Sequence, residues 1–285
     1  MTDRVWRCRD RTLTLDERTL VMGIVNVTPD SFSDGGMFRG ADDAVRHGAR
    51  LLDEGADMLD VGGESTRPGS EPVDVDEELR RVISVIEGLA KIAPETPLSV
   101  DTRKPEVARA ALEAGARIVN DITAGRDGPM FEAVEPSGAG IVLMHMLGEP
   151  RTMQEDPRYD DVVAEVHGFL RERIEAAVFA GIPEERICID PGIGFGKNVD
   201  HNLALIRAVA ALRPLGATVM VGASRKRFIG TLTGADEPVD RVEGSLAVAV
   251  LASSLGADVV RVHDVAATVR ALKVADAVVR ESADG

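Results

Sequence analysis

The chain has 285 residues, of which 44% are hydrophobic, and its formal net charge is −15. This size and apolar content predict a well-buried core in a single domain that spans residues 1–285. The acidic balance argues against nucleic-acid binding, because the surface field would repel a phosphate backbone. No apolar run approaches the ~20 residues that a membrane span needs, and the N-terminus lacks the apolar centre of a secretory signal. We therefore expect a cytoplasmic protein without membrane contact.

A short hairpin-like segment, residues 1–19, precedes apolar runs rich in β-branched residues that alternate with amphipathic helical patterns. The eight predicted strands are Leu20–Val25, Met58–Gly62, Leu98–Asp101, Arg117–Asp121, Gly140–His145, Arg186–Asp190, Thr218–Ser224 and Asp258–His263. The predicted helices are Ala41–Glu54, Val75–Ile92, Pro105–Ala114, Tyr159–Ala180, Asn202–Ala211, Arg241–Leu255 and Val265–Val279.

This alternation predicts parallel strands joined by right-handed crossovers, with both faces of the sheet covered. Eight such strands close most simply into a (β/α)₈ TIM barrel. A doubly wound open sheet is the alternative, but no GxGxxG sequence follows the first predicted strand. Polar residues also close all eight strands instead of clustering at one crevice, which favours the barrel.

The loop after the first predicted strand has the sequence NVTPDSFSDGG, from Asn26 to Gly36. It combines amide, hydroxyl and carboxylate groups with proline and glycine residues that permit tight bends. An ordinary solvated connection is one interpretation of such a loop. Its length and order favour the other, a loop that binds an anionic or metal-bridged ligand.

The active site of a barrel lies at the carboxyl ends of its strands, so the polar residues there are the first candidates. Asp101 alone could simply cap the helix that begins near Pro105. Many such positions on one rim instead predict a binding site. They include Asn26, Asp101, Asn120, Asp190, Lys226, Arg261 and His263, with the apolar Met144 at one further strand end.

These side chains form two chemical groups. Asp101, Asn120 and Asp190 can accept hydrogen bonds from a flat heterocycle, and Lys226 can donate to its acceptors. An internal salt-bridge network at the barrel top is the alternative for any single pair. Arg261 and His263, with Asn26 across the rim, predict a phosphate site, and the amide oxygen of Asn26 is a suitable ligand for Mg²⁺.

Eight sequence strings carry a resemblance to a known family. In chain order they are GIVNVTPDSFSDGG, DVGGESTRPGS, SVDT, VNDI, LMHM, DPGIGFGK, GASRKRFIG and RVHD. Their content and order resemble the dihydropteroate synthase family, from about Leu20 to the last predicted helix. The resemblance implies a transferase of folate synthesis, which condenses 6-hydroxymethyl-7,8-dihydropterin pyrophosphate with 4-aminobenzoate. The products would be 7,8-dihydropteroate and pyrophosphate, formed by an S_N1-like reaction.

The resemblance also implies roles for individual residues. The pterin would contact Asp101, Asn120, Asp190 and Lys226, with Met144 and Phe195 packing around it and Gly222 allowing close backbone approach. Pyrophosphate would bind Arg261, His263 and Asn26 with Mg²⁺. The 4-aminobenzoate pocket would be built from Phe32, Asp34, Thr66, Arg67 and Pro68. The residues expected to act in catalysis are Asp34, Arg67, Asp101, Lys226 and Arg261.

Three further expectations follow from the resemblance. A homodimer is expected, through late helices such as Arg241–Leu255. Arg227 replaces a serine that other family members carry after the lysine, so a hydroxyl contact to 4-aminobenzoate is lost there. No aromatic insertion interrupts Ser65–Gly69, which predicts sensitivity to sulfonamides.

Two other functions remain open at this point. A methyltetrahydrofolate–corrinoid methyltransferase shares the barrel and the pterin pocket, but it has no use for a pyrophosphate site. A pterin-binding paralogue without turnover is the other possibility, because a fold can keep binding and lose its chemistry.

Overall fold

The computed structural model describes residues 4–27, 36–65 and 69–279. Its strands are β1 (Val5–Cys8), β2 (Arg11–Thr14), β3 (Leu20–Asn26), β4 (Met58–Gly62), β5 (Leu98–Asp101), β6 (Ile118–Asp121), β7 (Gly140–Met144), β8 (Ile187–Asp190), β9 (Thr218–Val221) and β10 (Val259–Val262). Its α-helices are α1 (Gly36–Asp53), α2 (Val75–Ile92), α3 (Pro105–Ala114), α4 (Met130–Val134), α5 (Val162–Phe179), α6 (Val199–Arg207), α7 (Arg227–Thr233), α8 (Val242–Ser254) and α9 (Val265–Val279).

Strands β3 to β10 form a closed barrel in which each strand pairs in parallel with its sequence neighbours. The barrel closes between the last and first of these strands, where Val259 lies opposite Leu20 and Val262 opposite Gly23. The predicted (β/α)₈ TIM barrel is therefore confirmed, and each of the eight predicted runs is a barrel strand. Several strands end earlier than predicted. Strand β9 stops at Val221, and the Oγ atom of Ser224 beyond it accepts a hydrogen bond from the backbone of His263 at 3.2 Å.

Helix boundaries follow from local capping chemistry. Helix α2 begins where Asp74 accepts a hydrogen bond from Glu77 N at 2.8 Å. Helix α5 begins at Val162 and not at the predicted Tyr159, because the Asp161 side chain caps the backbone of residues 163 and 164. Helices α4 and α7 were not predicted. They have five and seven residues, too few to show a clear apolar period.

The hairpin-like N-terminal segment is confirmed as an antiparallel pair, β1 with β2, and it covers the bottom of the barrel. Trp6 and Cys8 of β1 are fully buried against Met22, Met58 and the other side chains that fill the lower barrel. The Trp6 indole N–H donates to Arg186 O at 3.1 Å. Because apolar packing closes this end, the polar strand ends at the opposite rim are the open part of the barrel.

A larger apolar cluster lies between the sheet and the surrounding helices. It holds the barrel strands in register and so determines which side chains meet at the rim. Among the helices that the structure describes, none is both long and apolar enough to span a membrane.

Candidate active site

Alternation along each strand selects which rim residues face the barrel interior. Asn120 and Asp121 are neighbours at the end of β6, and both are buried. Asn120 donates across the interior to Asp60 of β4, whereas Asp121 turns outward and accepts from Thr123 and Gly125 in its own loop. Asn120 therefore belongs to the interior site and Asp121 supports the loop.

Arg261 of β10 is the centre of the interior polar network. Its Nε atom donates to Asp60 Oδ2 at 2.6 Å, and its Nη2 atom donates to Asp101 Oδ2 at 2.9 Å. The same oxygen of Asp60 also accepts from Asn120 Nδ2 at 2.9 Å. One guanidinium thus links strands β4, β5 and β10, and the amide of β6 joins through Asp60.

Asp190 and Arg261 face the same space. A Cβ atom built on Gly222 would lie 3.4 Å from Asp190 Oδ2 and 3.7 Å from Arg261 Cβ. Glycine at position 222 therefore leaves open the gap between these two side chains, so the backbone can approach a ligand there. The other carboxylate oxygen of Asp190 accepts from Gly192 N at 2.7 Å.

Burial and neighbouring charges shift the pKa values of the ionisable side chains in this site. Burial raises the pKa of Asp101 to about 7, against the opposing effect of Arg261 and with a further contribution from Asp60. Burial also raises the pKa of Asp190, which Lys226 partly offsets. Burial lowers the pKa of Lys226 to about 8, even though Asp190 favours its charged form. For Arg261, burial opposes the charge, yet Asp60 and Asp101 keep its pKa raised.

Lys226 and Phe195 form one wall of the site. The Lys226 ammonium lies 4.2 Å from the centre of the Phe195 ring and donates to Ile193 O. Met144, at the end of β7, belongs to a small buried cluster with Ile122, Met146 and Met153, and Phe195 packs against it. This apolar wall beside three polar strand ends suits a flat ring with a hydrogen-bonding edge.

Asn26 and His263 lie in a separate cavity of about 470 Å³. His263 Nδ1 is 3.1 Å from Ser224 Oγ. Next to it, Arg225 forms two hydrogen bonds with the Asp264 carboxylate, at 2.9 and 2.6 Å. The structure thus places Arg261 with the acids and places Asn26 and His263 in a neighbouring cavity on the same rim.

This arrangement can be compared with known proteins. The model of the pterin-binding enzyme family matches residues 22–263. Dihydropteroate synthase of Escherichia coli (strain K12) is 49% identical over 257 residues, which cover 90% of this chain and 90% of that protein. The chain belongs to the dihydropteroate synthase family.

Solved structures of this family have the same fold. A Xanthomonas albilineans dihydropteroate synthase with 4-aminobenzoic acid is 56% identical, with a TM-score of 0.91 over 97% of this chain and 98% of that chain. A structure of the enzyme from the same organism in complex with 7,8-dihydropteroate is 54% identical, with a TM-score of 0.86 over 95% and 98%. Such identity over nearly the whole length makes the family resemblance more than a shared barrel.

Some residues that the family resemblance names cannot be placed. They lie outside the described residues and are Phe32, Asp34, Thr66, Arg67 and Pro68. Their roles in the 4-aminobenzoate pocket and in catalysis stay predictions. Every other predicted site residue is in the described part of the chain, at or beside the open rim.

Sequence reasoning missed Asp60. This residue is fully buried and binds both Arg261 and Asn120 through Oδ2, while its Oδ1 atom has no hydrogen-bond partner among the described residues. One sequence signal could have identified Asp60. It lies in β4, two residues before Gly62 at the strand end, so the two positions share one face of the strand. An acidic residue within an apolar strand is costly to bury and is a candidate for a buried ion pair.

Lys197 was also missed. It is 3% exposed, and its Nζ atom lies 2.9 Å from both His145 Nδ1 and Phe195 O. Burial and then Lys226 lower the pKa of Lys197 to about 7, and burial and then Lys197 lower the pKa of His145 to about 3. The pair therefore joins the end of β7 to the loop that carries Phe195.

Proposed function

We propose that this chain is a dihydropteroate synthase, which condenses 6-hydroxymethyl-7,8-dihydropterin pyrophosphate with 4-aminobenzoate. The products are 7,8-dihydropteroate and pyrophosphate. The observation that carries the proposal is the meeting of Asp190 and Arg261 across Gly222, in a barrel that belongs to this family. The reaction requires hydrogen-bond acceptors for the pterin and a cationic side chain for the pyrophosphate, both at the same end of the barrel.

The pterin would bind between the polar strand ends and the apolar wall. Asp101, Asn120 and Asp190 supply acceptors for its ring N–H and amino groups, and Lys226 donates to its acceptors. Met144 and Phe195 contact the ring faces. Binding also offsets the unfavourable free energy of burying the carboxylates, because hydrogen-bond donors of the ligand replace the water that these groups lose on burial.

The reaction breaks the bond between the methylene carbon of the pterin and the pyrophosphate oxygen, and the electron pair leaves with pyrophosphate. The amino nitrogen of 4-aminobenzoate then forms a bond to that carbon and releases a proton. Asp101 and Asp190 stabilise the positive charge that develops on the pterin, and Arg261 stabilises the departing negative charge. Asp34 and Arg67, proposed to act from the loops after β3 and β4, would exclude water from the cation.

We propose that pyrophosphate leaves with Mg²⁺ beside Asn26 and His263. Asn26 is exposed at the end of β3 and lines the same cavity as His263. A hard cation that keeps waters and phosphate oxygens needs few protein ligands, so one amide oxygen fits it. When bound, Mg²⁺ would neutralise charge on the pyrophosphate.

The proposal is tested with purified protein, pterin pyrophosphate, Mg²⁺ and radiolabelled 4-aminobenzoate. We expect labelled dihydropteroate and pyrophosphate in equal amounts. Asp190→Asn should lower kcat/KM by about a hundredfold, as expected for loss of a charge that acts in the transition state. Asp200→Asn, at an exposed position in the first turn of α6, is the matched control and should leave kcat/KM unchanged.

The same assay separates the competing functions. Pterin binding without product would favour a paralogue that only binds. Methyl transfer from methyltetrahydrofolate, without pyrophosphate release, would favour the corrinoid methyltransferase. Loss of synthesis at saturating sulfonamide is expected as well, and undiminished synthesis would contradict the predicted sensitivity.

We further propose that residues 1–285 act as one domain of a cytoplasmic homodimer. Helix α8 supports the interface, because it is apolar around much of its circumference and exposes 54% of Leu251. The neighbouring helix α9 exposes Val274 by 66% and Val278 by 79%. Adjacent exposed apolar side chains of this kind are typical of an interface between subunits.

A further inference from the structure

The cavity that contains Asn26 and His263 is also lined by residues of α1 and α9. Its basic and imidazole side chains other than His263 are His47 and Arg50 of α1, Arg270 of α9 and Arg225 of the loop before α7. We call these four residues and the space between them the outer cavity. The roles already proposed for Asn26, Arg261 and His263 do not involve any of them.

Three arginines and two histidines line the whole cavity, against the carboxylates of Glu54 and Asp264 among the described residues. Partial burial and then Arg50 lower the pKa of His47, so its ring is neutral near pH 7 and the positive charge comes from the arginines. The chain as a whole carries −15. A cavity with excess positive charge on such a protein is a local attraction for an anion.

The arginines of the outer cavity differ in what they already bind. Arg225 is committed to Asp264 through two hydrogen bonds. Arg50 Nε lies 3.5 Å from Glu54 Oε1, which is a loose ion pair, and Arg50 Nη2 lies 3.0 Å from Nδ1 of the uncharged His47 ring. Arg270 is exposed, and its side chain has no hydrogen bond or ion pair with the residues that the structure describes. It has its full set of donors available for a ligand.

The backbone beside these arginines also favours an anion. Ala266 and Ala267, in the first turn of α9, line the cavity with side chains no larger than a methyl group. N–H groups in the first turn of a helix have no partner within the helix, and the helix dipole is positive there. They add to the attraction that the arginines create.

We propose that the outer cavity is a second station for the diphosphate product, occupied after it leaves Asn26, Arg261 and His263. Arg270 and Arg50 bind its phosphate oxygens, and the first turn of α9 faces it. The inference rests on the proposed synthase function and extends it to product release. A route lined with cations lets a multiply charged anion leave a protein whose surface is otherwise acidic.

The test measures binding of inorganic pyrophosphate to the whole purified protein by titration calorimetry at low ionic strength. Arg270→Ala and Arg50→Ala should each weaken binding by about threefold to tenfold, as expected for loss of one charge-assisted contact to phosphate. Arg270→Glu should weaken it further, because it places a like charge beside the anion. The matched control is Arg207→Ala, an exposed arginine at the end of α6 that lies outside the cavity.

Orthophosphate and sulfate, titrated in parallel, identify the anion. We expect pyrophosphate to bind more tightly than either, because its two phosphate groups offer the arginines more negative charge and more acceptor oxygens. Equal affinity for the three anions would overturn the assignment to the product. Unchanged affinity in Arg270→Ala and Arg50→Ala, or an equal loss in Arg207→Ala, would overturn the outer cavity as a site.

Failure of this inference is distinguishable from failure of the proposed function. If the wild-type protein makes dihydropteroate but the arginine variants bind pyrophosphate normally, only the second station is wrong. If the wild-type protein makes no dihydropteroate under any condition, the synthase assignment is wrong, and the product station is withdrawn with it.

Discussion

Asp101 and Lys226, two ionisable residues of the site, have pKa values close to neutral pH. Burial raises the pKa of Asp101 to about 7, so this carboxyl is protonated below that pH and loses acceptor strength. Burial lowers the pKa of Lys226 to about 8, so this side chain loses its charge above that pH. If the pterin needs an ionised Asp101 and a charged Lys226, its binding is best between these two values.

We therefore predict a bell-shaped pH profile of kcat/KM for pterin pyrophosphate, rising through pH 7 and falling above pH 8. Asp101→Asn should lower kcat/KM and remove the rise. Lys226→Arg should move the fall to higher pH, because a guanidinium stays charged. Lys197 also has its pKa lowered to about 7 by burial. A rise that persists in Asp101→Asn would contradict its assignment to Asp101 and leave Asp190, whose pKa is raised by burial, or Lys197 as the group that titrates.

Asp60 positions two other side chains of the site. It is fully buried and orients Arg261 and Asn120 through one carboxylate oxygen. Asp60→Asn removes the negative charge that balances Arg261, and its neutral amide oxygen accepts from Arg261 and Asn120 more weakly than a carboxylate oxygen does.

We predict that Asp60→Asn lowers kcat/KM for pterin pyrophosphate by about tenfold to a hundredfold, as expected when a buried charged pair loses one member. The negative charge of Asp60 raises the pKa of Asp101. Because Asp60→Asn removes that charge, the pKa of Asp101 should fall and the acidic limb of the pH profile should move to lower pH. A purely structural role would lower kcat without moving that limb. Asp76→Asn, exposed in the first turn of α2, is the control and should change neither quantity.

At the scale of elements, the β1–β2 hairpin closes the lower end of the barrel. Trp6 is its anchor, since its ring is fully buried with Met22 and Met58, and its indole N–H has a partner at Arg186 O. Arg4 adds two hydrogen bonds to the buried Asp258 carboxylate, at 2.7 and 3.0 Å. The hairpin is therefore part of the barrel core and not an appendage.

We predict that Trp6→Ala lowers the free energy of unfolding by about 3–5 kcal/mol, the usual cost of removing a large buried ring. Arg7→Ala, in the same strand but with an exposed ion pair to Glu185, should cost less than about 1 kcal/mol. Urea unfolding of both variants measures the difference. A loss below about 1 kcal/mol for Trp6→Ala would mean that the hairpin is not needed to close the barrel.

At the scale of the whole molecule, the proposed homodimer places α8 at the interface. We predict that the wild-type protein sediments with twice the mass of one chain and that Leu251→Glu sediments as a monomer, because a charge would be buried at the contact. Val178→Glu, at an exposed apolar position of α5, is the control and should remain dimeric. A monomeric wild-type protein, or a dimeric Leu251→Glu, would contradict this interface.

Much of the fold could be predicted because its signals are local. Each barrel strand is a short apolar run, and α2, α3 and α9 begin and end where the periodic pattern does. Helices α4 and α7 could not be predicted, because a helix of one or two turns has no period to read. The identity of most rim residues could also be predicted, since parallel strands in a closed barrel end at the same rim.

The contacts among those residues could not be predicted. Arg261 reaches Asp60 and Asp101 across 201 and 160 residues of sequence, and no local pattern contains that pairing. The position of Lys197 beside His145 is of the same kind.

The sequence by itself determined the family, the barrel and the set of polar residues at its mouth, because motif order and apolar periodicity are properties of the chain. Only the tertiary structure decided that Asp60 holds Arg261 and that Asp101 and Lys226 titrate near neutrality. Only the tertiary structure, too, brings Arg50, Arg225 and Arg270 into the cavity that contains Asn26. The reason is physical: burial and charge pairing exist only once the last strand has closed against the first.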